Sequence, residues 1–177
     1  MISFDSTIIE LCKKNDRKAQ MQMYSVFYKP VYNTCFRILR DSMEAEDAMQ
    51  ESFLKAFSSL GLYKESTPFE AWIRRIAINT SIDKLRKNDL DVIELNENLH
   101  SDMPVTDDNE DWEQVIKKVE QVKTAIEKLP DSSRLIVNLY LIEGYDHEEI
   151  AEILKIASGT VRIQYMRAKQ RLIELIR

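Results

Sequence analysis

Apolar residues recur every three or four positions along most of this chain, which is the period of amphipathic helices. Between residues 42 and 60, one such stripe falls on a single side of a helical wheel and predicts a buried face. Glycine and proline are scarce, with 3 and 4 residues, which disfavours a turn-rich β fold. The pattern therefore predicts an all-α chain. The stripe consists of Ala45, Met49, Phe53, Ala56 and Leu60.

The first 88 residues predict one small helical domain. Asp16 is a candidate N-cap for a first long helix, which Pro30 is expected to kink or break. Further helices are predicted over 31–39 and 42–60. Thr67 is the predicted N-cap of the next helix, since proline follows it at the first helical position and an acid closes a capping box. That helix is expected to reach about residue 86 or 87.

Residues 111–177 predict a second small helical domain that ends in a helix-turn-helix. Its first helix should stop at Pro130, and Asp131 is expected to cap a helix that ends at Gly144. Asp146 begins a short helix with a capping box, and after a turn at 155–157 Ser158 is expected to cap the last helix. The second helix of such a pair lies in the DNA major groove. The spacing therefore predicts contact with duplex DNA.

Charge is strongly segregated, although the formal net charge is only −5. Residues 72–88 hold 5 bases and 1 acid, and residues 155–177 hold 6 bases and 1 acid. Residues 89–121 hold 11 acids and 2 bases, and 89–110 lack a helical period, so we read 89–110 as an acidic linker between the domains. Local field rather than net charge governs attraction to phosphate.

Three surfaces carry candidate chemistry, each with a plainer alternative. The polar face of the 42–60 helix has Leu54 in its middle, so it is either a protein-docking face or an ordinary solvated face with one leucine. Basic residues beside Tyr63, Phe69 and Trp72 suit a single nucleic-acid strand, or they surround an ordinary core. The outward face of the last helix suits base edges and phosphates, or it is a surface helix with scattered charge.

The residue inventory excludes several classes of protein. Cys12 and Cys35 form no metal-ligand spacing, and we expect both to be reduced and partly buried. The two histidines, with no nucleophile elbow or phosphate loop, favour neither an enzyme nor a cofactor or metal site. No signal peptide or membrane span is visible, so a cytoplasmic protein is expected. No small-molecule substrate is expected, because no ligand-binding motif is recognisable.

Three motifs together resemble bacterial RNA polymerase sigma factors, most closely the small extracytoplasmic-function (ECF) type of the sigma-70 family. Residues 41–57 (DSMEAEDAMQESFLKAF) resemble region 2.2. Residues 69–79 (FEAWIRRIAIN), with Asp83 and Arg86, resemble regions 2.3 and 2.4. Four short stretches resemble region 4.2: 129–130 (LP), 143–145 (EGY), 148–151 (EEIA) and 159–162 (GTVR). Their order, spacing and total length agree with the family.

The resemblance implies a role for each surface. It makes 1–88 region 2, which binds core polymerase and the promoter −10 element, and 111–177 region 4, which binds the −35 element. The implied contacts to the β′ clamp of the polymerase are Asp47, Gln50, Glu51, Leu54 and Lys55. The implied −10 contacts are Tyr63, Lys64, Arg74, Arg75, Asn79, Asp83 and Arg86. The implied −35 contacts are Thr160, Arg162, Ile163, Met166 and Arg167.

The family also implies partners and one open alternative. The expected partners are core RNA polymerase, through its β′ clamp and β flap, promoter DNA, and an anti-sigma factor that governs a stress- or signal-responsive regulon. A stand-alone helix-turn-helix regulator is the alternative, and the region 2.2 motif argues against it. The chain departs from the family at Ala157, where many relatives have proline, and at Ile163-Gln164, where many have Ser-Arg. We therefore expect an altered −35 preference with more apolar contact to thymine.

Overall fold

The computed structural model describes residues 6–64, 66–88 and 112–176, and the chain divides into two compact units, 1–90 and 91–177. Within the described residues, all regular structure is helical, which confirms the predicted all-α class. The predicted linker 89–110 lies outside the described residues. The first unit contains α1 (Ser6–Lys13), α2 (Arg17–Leu39), α3 (Ser42–Ser59), a 3₁₀ turn (Leu60–Leu62) and α4 (Phe69–Asn88). The second contains α5 (Trp112–Glu127), α6 (Asp131–Val137), a π-helical turn (Asn138–Ile142), α7 (His147–Leu154) and α8 (Ser158–Ile176).

In the first unit, α2, α3 and α4 pack around one apolar core. The helix starts are fixed by acids, as the Asp16 carboxylate accepts from the Ala19 amide at 2.9 Å. Asp41 caps α3 in the same way and accepts from the amides of residues 43 and 44. All five residues of the predicted α3 stripe are buried, so the hydrophobic period identified the core-facing side correctly.

The expected break at Pro30 is wrong, because α2 runs through it without interruption. A proline inside a helix costs about 3 kcal/mol, since it removes one N–H and crowds the preceding turn. Phe27 and Val31 flank it and are buried against the other helices. Each contributes about 1.5–3 kcal/mol by burial, so packing outweighs the local cost. The helix ends instead where Arg40 adopts the left-handed conformation with φ 59°.

Three predicted N-caps are displaced by one residue. Thr67 lies one residue before the observed position, and Asp131 and Ser158 each lie one residue after it. Pro68, not Thr67, provides the first carbonyl of α4 and accepts from the Trp72 amide at 3.2 Å. Pro130 and Ala157 are the residues that precede α6 and α8. Asp131 and Ser158, which were predicted as N-caps, are instead the first helical residues. At α6 no side-chain hydrogen bond caps the helix start.

In the second unit, the capping box is present as predicted: Asp146 accepts from the Glu149 amide at 2.8 Å, and Glu149 accepts from the Asp146 amide at 2.9 Å. Lys155 then takes a left-handed conformation with φ 55°, which reverses the chain between α7 and α8. Gly144 has φ 79°, a conformation that glycine adopts without strain. The first helix of the helix-turn-helix, α7, therefore has a defined start at Asp146 and a defined end at Lys155.

Both cysteines are free thiols in the first unit, as expected, but they are fully rather than partly buried. Burial, together with the nearby Asp16 carboxylate, raises the pKa of the Cys12 thiol above its ordinary value. Among the residues that the structure describes, no helix combines the length and apolar character needed to cross a membrane.

Candidate functional site

The outward side of α3 carries a mixed polar and apolar face that the fold leaves uncovered. Leu54 is 71% exposed at its centre, and Asp47, Gln50 and Glu51 around it are exposed as well. Lys55 lies at the edge of this face and is also exposed. We call these five residues the α3 face. The structure thus brings together all the residues that the sequence suggested for polymerase contact.

Met43 belongs beside this face, although the sequence analysis did not include it. Its side chain is 77% exposed. It precedes Asp47 by four residues, Gln50 by seven and Leu54 by eleven, a spacing that places all four on one side of a helix. Met43 therefore adds a second exposed apolar side chain to the side of α3 that carries Leu54. This i, i+4, i+7, i+11 spacing in the sequence could have identified Met43 as a neighbour of the face.

Two lysines tie the α3 face to its own fold. Lys55 Nζ lies 2.8 Å from Glu51 Oε1 and donates to the Thr80 hydroxyl on α4 at 3.2 Å. The hydrogen bond from Lys55 is the main cause that lowers the pKa of Glu51 below its ordinary value. On the other side, Lys84 Nζ lies 3.4 Å from Glu44 and 3.9 Å from Asp47. The acids of the face are thus held in place by cations.

The Lys84 contacts join residues about 40 positions apart in sequence, so no helical period could have indicated them. Only the packing of α4 against α3 brings the ammonium group to those carboxylates. Lys84 is partly buried, at 20% side-chain exposure, which lengthens the reach of its charge relative to an exposed lysine.

Tyr63 lies inside the fold, which corrects its expected role as a direct DNA contact. Its ring is 8% exposed and packs against Phe69 and Trp72, with ring centroids 5.4 and 5.3 Å away. Its hydroxyl donates to the Thr67 carbonyl at 2.6 Å. A ring with 8% of its surface exposed offers little area on which a base could stack. The hydroxyl of Tyr63 instead ties this buried ring to Thr67, shortly before α4 begins.

The remaining candidates around α4 differ in how far they reach solvent. Lys64, Asn79 and Asp83 are exposed, whereas Arg74, Arg75 and Arg86 are half-buried. Arg74 pairs with Glu70 at 2.6 Å, and Arg86 lies 3.5 Å from Asp83 along the same helix. Leu62, in the 3₁₀ turn before Lys64, is 79% exposed and was not singled out from the sequence.

In the second unit, α8 turns its apolar side inward and leaves a mixed apolar and polar face exposed. Val161, Ala168 and Leu172 are buried, and Tyr165 is half-buried. Ile163 and Met166, three residues apart, are 55% and 49% exposed. The other outward residues are Thr160, which is half-buried, Arg162, which is exposed, and Arg167, which is half-buried.

One ion pair and one buried residue limit what this exposed face of α8 offers. The Arg162 guanidinium donates a hydrogen bond to the Glu148 carboxylate on α7. Gln164, next to Ile163, is buried, although its polar side chain is unusual on that side of the helix. The position at which the sequence leaves its family pattern therefore splits into one residue that faces solvent and one that faces the core.

Family models match both units, and related proteins match nearly the whole chain. The model described as Sigma-70 region 2 matches residues 23–90, and Sigma-70, region 4 matches residues 119–172. The ECF RNA polymerase sigma factor SigW of Bacillus subtilis is 30% identical, covering 96% of this chain and 95% of that protein. The RNA polymerase sigma-H factor of Pseudomonas aeruginosa is 29% identical, covering 94% and 90%.

The fold is shared with solved structures as well. The sigma factor RpoE of Bartonella quintana, solved in complex with the anti-sigma factor NepR, aligns with a TM-score of 0.54 at 21% identity, covering 88% of this chain and 94% of that chain. This likeness concerns the fold alone. Together with the matched regions and the full-length relatives, it leads to one assignment: the chain belongs to the ECF RNA polymerase sigma factors of the sigma-70 family.

Proposed function

We propose that this sigma factor binds core RNA polymerase through the α3 face and directs it to promoters. The observation that carries the proposal is the exposed Leu54, ringed by the fixed carboxylates of Asp47 and Glu51. An apolar side chain at the centre of a polar rim is the usual composition of a protein-binding patch. The acids suit a basic partner surface, which on polymerase is the β′ clamp.

The same proposal assigns the two DNA elements to separate units. Residues 1–88 bind the −10 element through α4 and the segment before it, where Lys64, Asn79 and Asp83 reach solvent. Residues 111–177 bind the −35 element through α8, where Ile163 and Met166 lie between cationic residues. The segment 89–110 serves as an acidic tether between them.

Tyr63 and Trp72 act indirectly in this scheme. Their packing with Phe69 holds the turn that carries Leu62 and Lys64. Flipping a base out of the duplex costs a few kcal/mol, and an ordered loop lowers the entropy lost on capturing that base. We assign the −10 contact to the exposed members of the segment and the positioning role to the buried rings.

Regulation and location follow from the family and from the chemistry of the task. An anti-sigma factor is the proposed regulator, since a structurally similar sigma factor was solved with one. The protein acts by binding rather than by catalysis, in the bacterial cytoplasm where transcription takes place, and it requires no cofactor. Its second contact on polymerase is the β flap. The signal-responsive regulon belongs to the same proposal.

Charge reversal on the α3 face tests the core of the proposal. Asp47→Lys with Glu51→Lys should weaken binding to core polymerase by on the order of tenfold or more, because acids that met a basic surface would now repel it. Glu10→Lys, which reverses an exposed acid on α1 outside the α3 face, is the control. Circular dichroism monitors folding, and promoter-specific transcripts report function. Equal core affinity for the double variant and the control would refute the docking assignment.

A further inference from the structure

One side of α2 carries a row of four aromatic rings that the proposed contacts do not use; two of the rings are half-buried against the core, and two are exposed. Tyr24, Tyr28, Tyr32 and Phe36 follow one another at intervals of four residues. Tyr24 and Tyr28 have ring centroids 5.8 Å apart and planes inclined by 15°. Tyr32 and Phe36 are 6.0 Å apart and inclined by 16°. Both pairs are therefore stacked and nearly parallel.

The row moves outward along the helix. Residues four apart advance by about 40° on a helix of 3.6 residues per turn, so the row winds from the flank toward the solvent-facing crest. Tyr24 still contacts the core at Phe53, with centroids 4.8 Å apart. Tyr28 is 36% exposed and Phe36 is 43% exposed. The row extends about 18 Å along the helix axis, at 1.5 Å per residue.

Positive charge accompanies the rings, and no acid interrupts it. Residues 17–40 contain five bases and no acid, in a chain whose net charge is −5. Lys29 Nζ lies 5.9 Å from the centre of the Tyr28 ring, so a cation and an aromatic face are already adjacent. Exposed aromatic rings without acids do not suit a basic partner, and they suit a polyanion that offers flat groups. The five bases are Arg17, Lys18, Lys29, Arg37 and Arg40.

We infer that this α2 face, formed by Tyr28, Tyr32, Phe36, Lys18 and Lys29, binds single-stranded DNA by base stacking and phosphate contact. Base stacking on aromatic rings, beside cations that follow the backbone, is the general mode of sequence-tolerant single-strand binding. The inference rests on the proposed function, because promoter melting supplies the single strand. It adds a second tract on the first unit, separate from the α4 contacts.

Fluorescence anisotropy with the full chain and a labelled oligo-dT of about 12 nucleotides tests the inference, since such sites span about 4–16 nucleotides. Tyr28→Ala with Phe36→Ala should weaken binding by on the order of tenfold. Tyr28→Phe with Phe36→Tyr keeps both rings and should bind as the natural chain does. Leu11→Ala, a comparably exposed apolar residue on α1, is the control for lost surface, and thermal melting confirms that each variant folds.

Charge is tested separately. Lys18→Gln with Lys29→Gln should lower the slope of log affinity against log salt by about 1.4, since each single-strand phosphate contact contributes about 0.7. Oligo-dT affinity that is the same for the alanine pair and the natural chain overturns the inference. So does a loss of polymerase binding by the alanine pair with unchanged oligo-dT affinity, which would make the face a protein-docking surface.

The two proposals fail in different measurements. Failure of the natural chain to form a holoenzyme that starts promoter-specific transcripts would refute the proposed function. The oligo-dT comparison between ring-removing and ring-retaining variants requires no polymerase. Equal oligo-dT affinity of the two kinds of variant would refute the α2 inference and leave the proposed function untouched.

Discussion

The Arg162 guanidinium on α8 is hydrogen-bonded to the Glu148 carboxylate on α7, across the turn of the helix-turn-helix. Both side chains are 59% exposed, so the pair lies at the surface where DNA would approach. An exposed pair of this kind is worth little to folding, at about 0–1 kcal/mol. Its larger effect is on binding, because Arg162 must exchange a carboxylate for a phosphate or a base.

Removal of the competing carboxylate should therefore strengthen promoter contact. We expect Glu148→Gln to raise affinity for a −35 duplex severalfold at low salt, and Arg162→Ala to lower affinity and reduce the salt slope by about 1. Glu152→Gln, one turn along α7 and also exposed, is the matched control. Anisotropy with a duplex selected by the holoenzyme from a random library gives the affinities. If Glu148→Gln and Glu152→Gln behave alike, the ion pair does not restrain Arg162.

Ile163 and Met166 predict apolar recognition of thymine. Uracil lacks only the C5-methyl group, so replacing a contacted thymine in the −35 element with uracil should cost about 0.8 kcal/mol, or roughly fourfold in affinity. In the Ile163→Ala, Met166→Ala variant the same base change should have no effect. A thymine-to-uracil change outside the element serves as the control. Equal sensitivity of both proteins to the contacted change would argue against methyl recognition by α8.

Tyr63 allows a direct choice between a structural and a stacking role. Tyr63→Phe keeps the ring and removes only the hydroxyl that donates to Thr67. We expect the free energy of unfolding to fall by about 1 kcal/mol, as for the loss of one hydrogen bond, measured by urea denaturation of the full chain. Opening of the duplex around −10 should weaken with it, because Thr67 loses its hydrogen bond to the buried ring. Unchanged stability would show that the hydroxyl does not hold the segment.

Glu51 predicts a pH response with a defined sign. Its folded pKa is lowered, mainly by the hydrogen bond from Lys55, so this carboxylate stabilises the fold above its ordinary pKa. The contribution is lost as pH falls through the folded pKa. In Lys55→Met the Glu51 midpoint, followed by carbon NMR of the side-chain carboxyl, should move up toward the ordinary value for glutamate. A midpoint that stays in place would assign the shift to another group.

Much of this structure could be predicted because helical period and capping act locally. The α3 stripe from Ala45 to Leu60 and the capping box at Asp146 depend on neighbours within one or two turns, and both were predicted correctly. The break expected at Pro30 was predicted wrongly for the converse reason. Its local cost is real, but the burial of Phe27 and Val31 depends on helices that lie far away in sequence.

The candidate site shows the same division. Exposure of Leu54 and Ile163 follows from the helical wheel, since it depends only on which side of the helix each residue occupies. The contact of Lys84 with Asp47 and the enclosure of Tyr63 by Trp72 depend on tertiary packing. Aromatic composition alone could not distinguish a ring that stacks on a base from a ring that stacks on its own core.

The two buried thiols make the opening of the first unit measurable by alkylation. Cys12 and Cys35 are the only cysteines of the chain, and both are shielded within the same core. Because the thiolate is the reactive form, the raised pKa of Cys12 slows its alkylation further. Alkylating reagents then modify the native chain at a rate set by how often this core opens. The ratio of alkylation rates with and without core polymerase would measure how far that partner suppresses opening of the first unit. The second unit contains no cysteine and does not contribute to the rate.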